Sequence, residues 1–97
     1  MLDLGQIAGF DWDDGNSLKS ADKHSVSQVE AEQVFADGRF LFADDVKHSQ
    51  DENRYHALGR TLENRLLHVV LTLRANGTKI RVISAREMNR KEGTRLL

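Results

Sequence analysis

An α+β domain, helical in its front half and an antiparallel sheet in its back half, is the fold class this sequence predicts. Three observations carry that reading. Apolar residues between Ser27 and Gly38 recur at helical spacing behind a capping pattern. Apolar and polar residues alternate through most of the stretch from residue 54 to residue 85. Ala75-Asn76-Gly77-Thr78 joins two of those alternating runs, and Asn-Gly between such runs is a strong hairpin signal because both residues tolerate positive φ. A chain of 97 residues has the length of one domain, taken here as 1–97.

The elements follow in order. Phe10-Asp11-Trp12-Asp13 alternates apolar and acidic residues, as in a short strand or an extended entry. Asp13 or Asp14 can cap a first helix running to about His24, a weak one with Leu18 and Ala21 as its inward positions. The second helix is clearer. Ser27 and Glu30 have the spacing at which each satisfies the other's exposed backbone donor, Val26 and Ala31 can form the staple, Val34 and Phe35 continue the stripe, and Gly38 can end it. Strands are expected at residues 39–42, 54–60, 65–74 and 79–85, with a polar loop at 44–53. The chain has no proline, so its turns rest on Gly, Asn and Asp.

The hairpin suggests a register. With Asn76-Gly77 at the tip, Leu73 faces Ile80, Leu71 faces Val82 and Val69 faces Ser84. One face is then apolar and suited to pack on the helices. The other shows His68, Val70, Thr72 and Arg74 beside Lys79, Arg81, Ile83 and Ala85. The two faces of residues 54–60 are nearly balanced, so the register of that strand stays open. Ser84-Ala85-Arg86-Glu87 reads as another capping box, which predicts a final helix from about Ala85 with Arg86, Arg90 and Arg95 on or near it. Gly93 would weaken that helix by roughly 1 kcal/mol relative to Ala.

Composition excludes several classes. Without cysteine there is no disulfide, thiolate-bound metal or Cys nucleophile. No apolar run approaches the ~20 residues of a membrane span, and residues 1–5 lack the basic flank and apolar stretch of a secretion signal. A cytoplasmic location is expected. The net charge of −1 hides an asymmetry: residues 1–52 carry 12 acidic and four basic side chains, residues 53–97 three acidic and ten basic. Such a split suits a nucleic-acid-facing surface, or two halves that neutralise each other across the fold. Asp44, Asp45, His48, Asp51 and Glu52 cluster in one loop but show neither a two-His helical pattern nor a calcium-loop spacing, so no metal or other cofactor is expected. No helix-turn-helix with a basic recognition helix is apparent.

Several segments together resemble the BrnT toxin family. They are Phe10-Asp11-Trp12-Asp13, Lys23-His24-Ser25-Val26-Ser27, Glu30-Ala31 with Val34-Phe35, Glu52-Asn53-Arg54-Tyr55 with Leu58-Gly59-Arg60, and Ile80-Arg81-Val82-Ile83-Ser84-Ala85-Arg86. The likeness spans about residues 10 to 92 in order. It implies a RelE-like fold, with two N-terminal helices packed on a four-stranded antiparallel sheet and a short C-terminal helix. It also implies an RNA-cleaving toxin of a type II toxin-antitoxin system that inhibits translation. The implied partner is a BrnA-like antitoxin with a ribbon-helix-helix DNA-binding domain, through which alone the complex reaches operator DNA. A homodimer within the complex is compatible with this, and Phe40 and Phe42 offer apolar edge positions for either contact. Asn16, Ser20, Ser25 and Gln28 depart from common family residues, which supplies the alternative of an attenuated or decayed toxin acting as a non-catalytic interaction module that co-regulates its operon.

Metal-free RNA cleavage uses the ribose 2′-hydroxyl as nucleophile. It needs a base, an acid and stabilisation of the charge that builds on the phosphate. Arg81, Arg86 and Arg54 are the candidates for the charge, because a guanidinium donates two parallel hydrogen bonds to phosphate oxygens. Glu52 and His24 are the candidates for proton transfer, and Trp12, Lys23, His68 and Lys79 for RNA contact. Each has a plainer alternative. Arg81 could be a rim arginine paired with a front-half acid, Arg86 a solvent-facing helix residue, and Arg54 one end of a salt bridge with Glu52. His24 and Lys23 could simply end a helix, and Trp12 could belong to the core.

Overall fold

The computed structural model describes residues 4–12, 26–36, 39–45 and 53–96. A 3-10 turn at Leu4–Gln6 leads into β1 (Gly9–Phe10), then α1 (Gln28–Ala36), β2 (Leu41–Asp44), β3 (Arg54–Arg60), β4 (Leu66–Arg74), β5 (Lys79–Glu87) and the short α2 (Arg90–Leu96). The fold is α+β, as expected, but its architecture corrects the expected one. The sheet has five strands in the order β1-β5-β4-β3-β2, and it is mixed, because β1 runs parallel to β5. Ala8 N–H donates to the Thr78 carbonyl at 2.6 Å and Asp11 N–H to that of Ile80 at 2.8 Å, so the segment expected as a short strand or an extended entry begins as a strand on the outer edge of β5. Among the described residues there are two α-helices, one before the main sheet and a short one after it, rather than two before it. The helix expected over about residues 13–24 lies outside the described residues. No described helix is long and apolar enough to cross a membrane.

α1 forms as its sequence dictates. Ser27 Oγ accepts from Glu30 N–H at 3.1 Å, and the Glu30 carboxylate accepts from Ser27 N–H at 3.1 Å, which closes the capping box. Val26, Ala31, Val34 and Phe35 are buried, joining Ala57, Leu67, Val69, Leu71, Ile80, Val82 and Ala85 in one core between helix and sheet. A row of ring contacts runs along its margin from Trp12 through Phe10, Phe35, Phe40 and Phe42 to Tyr55. Gly59 lets α1 sit close on β3. A Cβ there would lie 2.7 Å from Val34 Cγ1 and 3.0 Å from Phe40 Cβ.

β2 to β5 form an antiparallel meander. Opposite Leu71 and Val69, Tyr55 and Ala57 turn toward α1, which settles the open register of β3: Arg54, His56, Leu58 and Arg60 point the other way. At the hairpin, Arg74 pairs with Lys79, and Ala75, Asn76 and Gly77 all take positive φ. Leu73 faces Ile80 and Leu71 faces Val82 as expected, but Val69 faces Ala85 and not Ser84. The pairing shifts between Val70 and Leu71, leaving Ile83 as the extra residue of a β-bulge. The helix expected from Ala85 is also corrected. Residues 84–87 continue β5 because residues 67–70 of β4 offer them a pairing partner. α2 starts later, where Asn89 Oδ1 accepts from Glu92 N–H at 2.9 Å and Glu92 Oε1 accepts from Asn89 N–H at 3.0 Å.

The close approach at Gly59 makes a direct test. Val34 is β-branched and stiff, and the Phe40 contact is at the root of its side chain, so neither neighbour yields easily. Gly59→Ala is expected to lower stability by about 1–3 kcal/mol, read as a fall in the urea midpoint at unchanged slope.

Candidate active site on the sheet face opposite α1

The registers place the expected residues on the sheet face turned away from α1. Three rows cross the strands: Arg54, Thr72 and Arg81 in one, His56, Val70 and Ser84 in the next, Leu58, His68 and Arg86 in the third. Lys79 lies beyond, opposite Arg74. The bulge at Ile83 is what brings Arg86 here, since strict alternation from Val82 would have turned it toward α1. Glu52, His24 and Lys23 lie outside the described residues. Trp12 is not on this face: it packs against the core, and its indole N–H donates to Glu32 of α1 at 2.8 Å.

One polar chain starts in the third row and crosses to His56 of the second. Arg86 grips Glu92 of α2 with both guanidinium nitrogens, each 2.9 Å from a different carboxylate oxygen. His68 Nδ1 is 2.7 Å from Glu92 Oε2 and 2.7 Å from Arg86 Nη2. His68 Nε2 is 2.7 Å from His56 Nδ1, and His56 Nε2 is 3.0 Å from Asp45 Oδ2. The chain borders a cleft of about 410 Å³ lined by Leu41, Phe42, Ala43, His56, Leu58, His68 and Glu92. Of its members, Arg86 and His68 are among the site residues expected from the sequence; His56, Asp45 and Glu92 are not. The available signal for Glu92 was the Asn89-Arg90-Lys91-Glu92 capping box, eclipsed by the similar pattern at Ser84. His56 becomes legible only once β3 is registered on β4.

The electrostatics fix the protons. Burial pushes the His68 imidazole below its ordinary value; the nearby Arg86 and His56 act in the same direction, and Glu92 opposes them. His68 is therefore neutral near pH 7. His68 Nδ1 stands between a donor, Arg86 Nη2, and an acceptor, Glu92 Oε2, so no tautomer serves both, while its Nε2 and the two His56 nitrogens form an unbroken line to Asp45. The Arg86 fork and the Asn89 backbone hold the Glu92 carboxyl down at about 2 against the cost of burial.

The two cations of the first row lie further along the sheet. Arg81 is 3.9 Å from Asp11, close to its plainer alternative of pairing with a front-half acid. Its row stands four residues along β4 from that of His68, roughly 13 Å by strand geometry. Arg65, by contrast, belongs to the α1 side, where it bridges Glu30 at 2.8 Å and Glu87 at 2.9 Å. Among the described residues no group of three or more His, Asp or Glu side chains is placed to hold a metal ion.

Both shifted groups make stability fall with acid, in separate windows. The unfolded chain protonates His68 near 6.5 while the folded chain resists, so stability present above that value declines as pH drops below it. Glu92 adds stability that is complete above its unfolded value of 4.5 and is lost as pH falls toward its folded value of about 2. Urea unfolding across pH should show both declines, with His68→Gln lacking the first and Glu92→Gln showing a smaller second, because Glu30, held down by Arg65 and the Ser27 backbone, loses stability in the same acid range.

Comparison with curated proteins gives no match. The family model described as "Ribonuclease toxin, BrnT, of type II toxin-antitoxin system" matches residues 12–92, a span that contains α1, the whole β2–β5 meander and the Arg86–Glu92 pair. By that match, over most of its length, this chain belongs to the BrnT family of ribonuclease toxins of type II toxin-antitoxin systems.

Proposed function

We propose that the chain cleaves single-stranded RNA without a metal, by attack of a ribose 2′-hydroxyl on the adjacent phosphate, and that the sheet face opposite α1 is where it does so. The observation that carries this reading is the shared face. Arg54, Arg81, Arg86 and Lys79 accompany a directly hydrogen-bonded histidine pair on it. Arg86 and Arg81 stabilise the charge building along the RNA phosphates from the two outer rows, with Arg54 in the row of Arg81. The histidine pair carries protons: His68, neutral, can accept one, and its bond to His56 lets the charge spread toward Asp45. Lys79 extends the positive strip along the RNA backbone. Of the remaining assignments, Glu52 and His24 in proton transfer and Lys23 in RNA contact complete the set proposed from the sequence, whereas Trp12, packed against the core and bonded to Glu32, takes no part in it.

Cleavage of RNA stops translation in this reading, and a BrnA-like antitoxin with a ribbon-helix-helix domain keeps the face silent and carries the complex to operator DNA. The location is the cytoplasm, where both RNA and antitoxin are made. A non-catalytic module is favoured by one observation: each described ring nitrogen of His56 and His68 already lies against a group of the chain itself.

The purified chain, incubated with single-stranded RNA in EDTA, is expected to cut it. Arg81→Ala should slow cleavage by about a hundredfold with an unchanged circular dichroism spectrum. A folded parent that leaves the RNA intact, or an Arg81→Ala variant as fast as the parent, overturns the proposal.

A further inference from the structure

Glu92 occupies an unusual position for a helix-capping residue. Its two oxygens meet the two Nη atoms of Arg86 at 2.9 Å each, and Oε2 also lies 2.7 Å from His68 Nδ1. A planar guanidinium facing two oxygens, with an imidazole alongside, is the arrangement in which proteins hold the two non-bridging oxygens of a phosphodiester. The carboxylate lines the cleft, and only 15% of its side-chain surface is exposed.

We propose that His68 and Arg86 form a phosphodiester-binding subsite which Glu92 fills in the resting chain as an internal stand-in for the ligand, so that nucleic acid must displace Glu92 to bind there. The proposal rests on the ribonuclease reading of this face and adds what that reading leaves open: the site is already occupied by an anion of the chain. The exchange is like for like. An incoming phosphate regains from Arg86 the paired hydrogen bonds that Glu92 gives up, and the released carboxylate regains water. A neutral ligand offers no such replacement and leaves the Arg86–Glu92 pair in place.

The element carrying Glu92 suits displacement. α2 is seven residues long and has Gly93 within it, so its own helical preference is weak. The Met88 N–H bond to the Leu66 carbonyl at 3.0 Å precedes it, and Gly93 lies over Leu66. Moving Glu92 away undoes its reciprocal bonds with Asn89, so the first turn of α2 moves with it. The same movement exposes His68 Nδ1 to the bound phosphate, giving the buried imidazole its contact with the reacting group.

The test is binding of a fluorescein-labelled single-stranded deoxyoligonucleotide, which keeps the phosphodiesters but lacks the 2′-hydroxyl nucleophile. Glu92→Gln keeps size and cap geometry and removes the charge that holds Arg86. Glu92→Ala removes the stand-in altogether. Glu87→Gln removes the same charge from an exposed neighbour that pairs with Arg65 instead. If the subsite is open about a tenth of the time in the parent, both Glu92 variants should bind about tenfold more tightly, while Glu87→Gln shows only the small, salt-sensitive gain of a lost surface charge. Unchanged or weaker binding by a folded Glu92→Gln, or an equal gain from Glu87→Gln, overturns the proposal. Because the probe cannot be cleaved by 2′-hydroxyl attack, a parent inactive on RNA would count against the ribonuclease reading and leave this result readable.

Discussion

Side chains alternate between the two faces of a strand, so one residue inserted opposite the Val70–Leu71 step reverses every position beyond it. In β5 that residue is Ile83. Before it, Ile80 and Val82 point into the core and Lys79 and Arg81 away. After it, the same division is kept by residues of opposite parity: Ala85 is buried against Val69, and Arg86 stands beside His68. Without the extra residue, Ser84 would take the buried place of Ala85 opposite Val69, and Arg86 would take the margin opposite Leu67 now held by Glu87, on the α1 side and away from His68. The bulge lets one strand serve the core along its whole length and still deliver its arginines to one surface.

The split of charge along the sequence resolves into two different uses. Acids of the front half meet back-half arginines at the margins, as Glu30 meets Arg65 and Asp11 approaches Arg81. These contacts tie α1 and β1 to the meander. On the opposite face the pattern changes: the acids there, Asp45 and Glu92, sit at the two ends of a histidine pair. The neutralising reading of the charge asymmetry therefore holds at the margins.

Much of this was legible in the residues. The capping box at Ser27, the left-handed turn at Asn76-Gly77 and the strands at 54–60 and 65–74 each follow from a local rule, and each formed where expected. What escaped was non-local. Pairing of Gly9–Phe10 with β5 depends on an edge that exists only after the meander has formed. The bulge has no composition signature, since Ile83 fits an alternating strand as well as its neighbours do. Ser84-x-x-Glu87 and Asn89-x-x-Glu92 are rival capping boxes, and pairing with residues 67–70 decided between them. His56 and Asp45 looked like loop and strand polar residues because their partners come from β4 and from each other across β2 and β3.

The parallel contact of β1 with β5 has a consequence for the order of assembly. β2 to β5 follow one another in the chain and pair neighbour to neighbour, so they can pair progressively, each strand templating the next. Gly9 meets Lys79 only by closing a loop that contains nearly all of them, and closure entropy grows with loop length. β1 therefore docks last. Phe10 and Trp12 arrive with it, adding their stacked rings to Phe35 and the indole bond to Glu32. The contact made last secures α1 from its far side, so fraying from the N-terminal strand would loosen the aromatic margin of the core while the meander, and the row of histidines it supports, stayed paired.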